Sequence, residues 1–300
     1  EGLKSPPDGL DPKVLRRLGF TAESGQVHVL PAGERLVAVV GLGAAGGVDL
    51  GTLRKAGAAL ARAVRRQRSV ATDIAAMSGL GTSEASRVIV ESMALALYRF
   101  GYKSSTTRPK VDDALSRVVL VGSTAAGVRS SVEEASAIVA GVVLARDLVN
   151  EPGGTLTPPV FARRVARMAR DKGLTVKVMD ETAIKRAGLG GLLGVNRGST
   201  HPPRFVELTY RPSGRATATL ALVGKGVTFD AGGLSIKPWQ GMADMKTDMG
   251  GAAAVIGAMS TLAAVAPKVR VRGYLPMTDN MLGGDATRPG DVLTIRNGKT

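Results

Sequence analysis

The 300-residue sequence has no cysteine, two histidines and an aromatic content of 3%. Without cysteine there is no disulfide framework, no thiolate zinc cluster and no thiol nucleophile, and a reducing compartment is permitted. His28 and His201 stand far apart in the chain, which removes every two-histidine metal motif and leaves little room for a triad built on an imidazole base. Polar catalysis would therefore run on Asp, Glu, Lys, Arg or a metal. Few aromatics leave cores of Val, Leu, Ala and Met, which suits helix-covered sheets. Acid is short as well: 25 acidic against 40 basic residues give a net charge of +15, which raises nucleic acid or an acidic surface as a partner.

Long apolar runs are scarce. Met249 to Ala266 carries no charge, about the shortest length that could span a bilayer. Most of it is Gly, Ala, Ser and Thr, its bulky members Val255, Ile256, Met259 and Leu262 fall at helical spacing, and Pro267-Lys268 ends it. A helix packed closely on a sheet is the expectation, with no membrane contact. The N-terminal EGLKSPPDGL lacks the basic-then-apolar layout of a secretory signal, and its leading Glu suggests that the first residue is not the original start.

What is present alternates. A strand at 34–40 is followed by a Gly-rich turn and a helix with Leu53, Gly57, Leu60 and Val64 on one face; a strand at 70–74, a helix at 83–100 and a strand at 117–121 continue the rhythm of an α/β domain. The segment 131–148 reads as a connecting helix with Glu133 and Glu134 in its first turn. Asn150-Glu-Pro-Gly-Gly-Thr-Leu-Thr157-Pro-Pro159 is turn chemistry ending in Thr157 as N-cap and Pro158 at the first helical position. Three parts are predicted: an N-terminal domain over 1–130, a linking helix over 131–150 and a second domain over 151–300. The second holds a helix at 158–172, strands at 174–179, 205–210 and 219–223, a long Gly-rich loop, the Ala-rich helix and a strand near 269–275.

The loop between the strand ending at Val223 and the Ala-rich helix carries Lys225, Asp230, Lys237 and Asp248 among glycines. In open α/β sheets ligands bind outside the carboxyl ends of strands. Divalent cations could bridge the two carboxylates and offset their repulsion. One lysine would then bind as a neutral amine, and the other would stay charged and stabilise an oxyanion. The plain alternative is two solvated lysines and an Asp248 that only caps the following helix.

The ordered strings GKGVTFDAGGLSIKP and MADMKTDMGGAAAV resemble the signature of the leucyl aminopeptidase family of dinuclear metallopeptidases. Asn150 to Pro158, Ala96-Leu-Tyr-Arg-Phe100, Arg288-Pro-Gly-Asp-Val292 and Asn297 to Thr300 resemble further segments of that family. The resemblance implies that Lys225, Asp230 and Asp248 are metal ligands, with Asp230 bridging both ions and Lys225 binding as the neutral amine. It further implies that Lys237 polarises the scissile carbonyl, and that Met245 lines the pocket for the first side chain unless it is simple core packing. A water activated by the two metals would then release the N-terminal amino acid from peptides with a free N-terminus. The implied fold is α/β with two domains, a macro-like N-terminal domain and a mixed-sheet α/β metallopeptidase catalytic domain. A cytoplasmic homo-hexamer, two zinc or manganese ions per subunit and a bicarbonate in the complete enzyme also follow from the resemblance. The family's second acidic pair and an arginine lie in a segment like NTDAEGR, expected beyond Thr300, so the 300 residues alone are expected to bind two metals poorly and to be inactive, as a portion of a longer enzyme. Gly154 and Ala231 depart from the family where Asn and Ser are common, at positions with no ligand role.

Two rivals remain. Gly41-Leu-Gly43-Ala-Ala-Gly46 matches G-x-G-x-x-G and suggests a dinucleotide-binding oxidoreductase, but Asp73 lies 27 residues after Gly46, too far for the usual acidic partner. The cluster Arg62 to Arg68 suggests a basic DNA-binding protein, but no zinc finger, RNP-type sequence or aromatic stacking set accompanies it.

Overall fold

A computed structural model describes residues 10–101, 114–122 and 126–300; the N-terminal EGLKSPPDG lies outside them. The protein is mixed α/β and divides into two compact units, residues 1–139 and 140–300, with the boundary inside one long helix.

In the first unit a short helix α1 (Pro12–Arg17) precedes a hairpin of β1 (Val27–Ala32) and β2 (Arg35–Val40), paired antiparallel. Then follow α2 (Leu50–Ala63), β3 (Ser69–Thr72), α3 (Ile74–Met77), α4 (Thr82–Ala96) and β4 (Arg117–Leu120), with β3 and β4 parallel. Sequence reading found β2 but missed β1, because Pro31 interrupts a strand that pairs only at an edge. Leu53, Leu60, Ala61, Val88, Ile89 and Met93 close the core between α2 and α4. Gly57 fits there because a Cβ would lie 2.3 Å from the Ser92 hydroxyl of α4.

This unit also speaks against the dinucleotide reading. Among the described residues the strand before the glycines pairs in an antiparallel hairpin and in no parallel βαβ unit. Gly41 is needed because a Cβ would sit 2.2 Å from the Glu23 carbonyl oxygen. Asp49 caps α2, accepting the Thr52 N–H at 2.7 Å, so a carboxylate already occupies the helix end that a pyrophosphate would need. Arg62, Arg65, Arg66 and Arg68 are exposed around the carboxyl end of α2, where cations suit the helix dipole without any partner.

The long helix α5 (Ala126–Asn150) runs into the second unit. There α6 (Pro158–Asp171) starts at Thr157 and Pro158 as predicted, but the Thr157 side chain makes no capping bond. Next come β5 (Thr175–Met179), α7 (Glu181–Arg186), α8 (Gly190–Asn196), β6 (Arg204–Tyr210), β7 (Thr219–Val223), β8 (Gly226–Asp230), α9 (Trp239–Met242), α10 (Gly250–Val265) and β9 (Arg270–Asn280). The sheet order is β5-β6-β9-β7, antiparallel as far as β9 and parallel from β9 to β7, with β8 also parallel to β9. Val223 pairs with Tyr274 and Gly226 with Met277, so β7 and β8 run in one register along β9 and act as one strand interrupted at Gly224-Lys225.

The Ala-rich helix α10 is apolar on most sides because it is covered on most sides. Ala252, Ala253, Ile256 and Met259 enter the sheet core with Phe161, Leu208 and Leu275, and a Cβ at Gly257 would lie 2.6 Å from the Gly141 carbonyl oxygen of α5. The stretch Trp239–Val265 is long and apolar enough to cross a membrane by composition, with mean hydropathy 1.4. Its continuous helical part, α10, has 16 residues, about 24 Å at 1.5 Å per residue, short of a hydrocarbon core of roughly 30 Å.

Candidate metal centre

The site grows from one strand and the helix docked on it. Gly224 has no room for a side chain: a Cβ would lie 2.6 Å from both the Ala252 Cα and the Gly251 carbonyl oxygen. That close approach lets the Ala252 N–H donate to the Lys225 carbonyl at 2.8 Å, tying the first turn of α10 to the strand. Asp248, just before α10, is thereby brought to Lys225. The Lys225 ammonium lies 2.9 Å from Asp248 Oδ1 and 2.8 Å from Oδ2, with hydrogen-bond geometry only to Oδ1. Oδ2 is buried and has no hydrogen-bond partner. Asp248 is not the N-cap of α10; that place belongs to Met249, and no side chain caps the helix. The solvated-loop alternative fails at this residue.

At the other end of β8 a bulge sets the geometry. In a regular strand alternate residues face opposite sides, so positions 225 and 230, five apart, would diverge. Between Val227 and Asp230 three steps of β8 match two steps of β9, from Thr278 to Asn280. The one extra residue reverses the alternation and returns Asp230 to the side of Lys225. No residue-type pattern announces such a register shift, and the sequence predicts a loop where β8 lies.

Asp230 is held by three donors on its two oxygens. Oδ1 accepts the Gly232 N–H at 2.9 Å and the Asn280 side-chain amide at 2.8 Å, and Oδ2 accepts the Lys237 ammonium at 2.7 Å. Burial alone would raise this carboxyl, but the hydrogen bonds from Lys237, Gly232 and Asn280, with the Lys237 charge, outweigh it and hold the group below its ordinary 3.8. Gly232 and Gly233 both take the left-handed backbone, φ +92° and +65°, which returns Lys237 to the strand it left. The same ammonium lies 3.0 Å from the Met245 sulfur, so Met245 stands at the site and outside the buried core cluster. The structure thus brings Lys237, Asp230 and Met245 together as one group and Lys225 and Asp248 as another, with the turn at 245–247 lying against β8.

The turn Asn150 to Thr157 backs this strand. A Cβ at Gly153 would lie 3.1 Å from the Thr228 carbonyl oxygen, the Lys246 ammonium donates to the Asn150 carbonyl at 3.0 Å, and buried Glu151 is paired bidentately by Arg164. Sequence reading missed Asn280, whose signal was its place at the end of the strand beside Asp230. A cavity of about 260 Å³ opens beside it, lined by Gly232, Gly233, Ser235, Asn280, Thr287 and Arg288 among others.

Among the described residues no three Asp, Glu or His side chains gather at one point. The donor set is instead two carboxylates and a lysine nitrogen. It suits a hard divalent cation: both carboxylates already face positive charge, and the buried Asp248 Oδ2 lacks the hydrogen bond that a metal ion would replace.

Comparison with known proteins identifies the family. Residues 143–300 match the model of the cytosol aminopeptidase family, catalytic domain, and residues 5–106 that of its N-terminal domain. A probable cytosol aminopeptidase of Chlorobium limicola is 41% identical over 97% of this chain and 61% of its own length. One from Syntrophotalea carbinolica is 38% identical over 94% and 59%. Among solved structures, the bottromycin maturation enzyme BotP in complex with Mn superposes with a TM-score of 0.85 at 43% identity, covering 95% of this chain and 60% of that one. The chain thus spans about 60% of the length of these relatives. With its catalytic-domain match lying over the two lysine–aspartate groups and its N-terminal match over the first unit, the chain belongs to the cytosol aminopeptidase family.

Proposed function

We propose that the chain carries the metal-binding core of a peptidase of the leucyl aminopeptidase type, which releases N-terminal amino acids from peptides with a free amino group. The observation that supports this most is the pair of carboxylates, Asp230 and Asp248, each set against a lysine along one bulged strand. In this reading Lys225, Asp230 and Asp248 would hold two divalent ions, zinc or manganese, with Lys225 as a neutral amine. Bound there, the ions would supply Lewis acidity and a water activated near neutral pH.

The chain's own residues orient the substrate. Lys237 offers an ammonium for the negative charge that develops on the attacked carbonyl oxygen. Met245, beside it, borders the space for the first side chain, and the cavity next to Asn280 gives room for the chain that follows. Bicarbonate, a homo-hexamer and a cytoplasmic location belong to the same reading through the family. Since only two acidic side chains stand at the site among the described residues, the 300 residues alone should hold the ion pair poorly and turn over little.

The test has two arms. Hydrolysis of leucine p-nitroanilide with added Mn²⁺ or Zn²⁺ is measured on the chain alone and on a fusion with the part of the Chlorobium limicola relative that it does not match. Little turnover alone, recovery in the fusion and loss of at least a hundredfold on Lys237→Ala are expected. Vigorous turnover by the chain alone would falsify the incomplete site, and a fully active Lys237→Ala fusion would remove Lys237 from its role.

A further inference from the structure

We infer that Asn280 is a positioning residue, which fixes the Asp230 carboxylate so that Oδ2 is the oxygen presented to a cation; this rests on the metal-site reading above. A carboxylate can only accept hydrogen bonds, so the side chain of Asn280 must turn its NH₂ toward Asp230, and its Nδ2 lies 2.8 Å from Oδ1. The Gly232 N–H takes the same oxygen at 2.9 Å. Both partners of Oδ1 are neutral donors, and the positive charge, the Lys237 ammonium, sits at Oδ2 alone. The two oxygens of Asp230 therefore have different tasks.

The backbone makes this division rigid. Asn280 pairs with Asp230 directly across the β8–β9 ladder, just after the bulge, and its carbonyl accepts the Ala231 N–H at 2.9 Å. Its side-chain oxygen fills the space where Gly233 would carry a Cβ, at 2.8 Å. Register, bulge and glycine all fix one rotamer of one amide. The chemistry suits the position: a neutral NH₂ orients the carboxylate through Oδ1 without adding charge there, and leaves Oδ2, which now faces the Lys237 ammonium, as the oxygen that attracts positive charge. Partners that orient a ligand in this way are typically worth about 10- to 100-fold in metal affinity.

The probe is Mn²⁺ alone, followed by loss of the free-ion electron paramagnetic resonance signal, with thermal unfolding of the metal-free chain run in parallel. Asn280→Leu keeps a similar shape but no donor, and Asn280→Gln keeps the amide on a longer arm. Mn²⁺ binding at least tenfold weaker in Asn280→Leu is expected, at a nearly unchanged unfolding temperature, with part of the loss recovered in Asn280→Gln. Binding by Asn280→Leu within twofold of the original chain overturns the inference, and so does an equal loss in both variants, because packing alone would then account for it. If neither variant folds, the original chain still decides: in a sample labelled with [¹⁵N]asparagine, Mn²⁺ should broaden the Asn280 side-chain amide more than that of Asn196, and equal broadening overturns the assignment. Because the chain alone is expected to bind weakly, Mn²⁺ is titrated into the fusion as well, and a fusion that takes up none overturns the metal reading itself, which distinguishes that outcome from the others.

Discussion

Two carboxylates at the ends of neighbouring strands, Asp230 on β8 and Asp279 on β9, titrate in opposite directions. Burial raises Asp279, and the opposing Ser199 hydrogen bond and the nearby His201 do not cancel it, so the group stays above its ordinary 3.8. Burial acts on Asp230 in the same sense and loses to three donors. Asp279 is 6% exposed and its Oδ1 has no hydrogen-bond partner, whereas Asp230 has one or two donors on each oxygen. Depth does not decide which of the two ionises more readily. The supply of N–H groups does, and the bulge that aligns Asp230 with Asn280 provides one of them.

The largest break in this contrast should come from removing the ammonium. Lys237→Met leaves Asp230 its two neutral donors but no positive charge. The pair is neither fully buried nor a free surface pair, with side chains 31% and 15% exposed, so the cost should fall between the two limits, about 1–2 kcal/mol. The sign with pH is fixed by the depressed carboxyl. Its stabilisation is present above the unfolded value of 3.8 and is lost as pH falls through the folded value. Urea titrations at pH 7 and pH 3 should therefore show a clear deficit at the first and a smaller one at the second. A deficit equal at both pH values would mean that Lys237 matters for packing and not for the charge on Asp230.

A smaller and opposite effect is expected at Asp279. Its folded value is raised, so folding favours the protonated acid, and stability attributable to it declines as pH rises from 3.8 through the folded value. Asp279→Asn removes the buried charge, keeps an oxygen for Ser199 and should stabilise the chain by about 1 kcal/mol at pH 7. That gain should vanish near pH 3, where both forms are neutral. Destabilisation at pH 7 would show that the lone oxygen has a partner of its own and that the two aspartates differ less than their surroundings suggest.

Much of this arrangement was legible in the residues. The glycines around Lys225 and Asp230 predict a backbone that bends closely round a small guest; Gly224 and Gly251 instead let the strand and α10 meet closely. The small residues of α10 announced tight packing, and the helix lies on the sheet core as expected. What stayed hidden depended on register. β8 has only five residues, too few for an alternation to emerge, and its bulge appears only when β9 is laid beside it. Asn280 and Asp279 belong to a strand read as ending near residue 275 that runs on to 280, so neither was seen as a neighbour of Asp230. β1 was lost for a different reason, since a hairpin edge with a proline lacks the signature of a buried strand.

The finest distinction is at Met245. Its sulfur lies 3.0 Å from the Lys237 ammonium, a contact too weak to hold the amine that the Asp230 oxygen at 2.7 Å already anchors. If Met245 borders the site without fixing it, Met245→Leu, which nearly conserves volume, should cost less than about 1 kcal/mol. Mn²⁺ binding should change by less than twofold, because no ligand oxygen has moved. The effect should appear instead in a competition among N-terminal residues, where a stiffer branched side chain changes the shape of the space beside Lys237 and shifts preference between leucine and methionine substrates in the active fusion. A tenfold fall in Mn²⁺ affinity would place the thioether among the groups that set the carboxylate, and the division of labour between Lys237 and Asn280 around Asp230 would have to be redrawn with a third member.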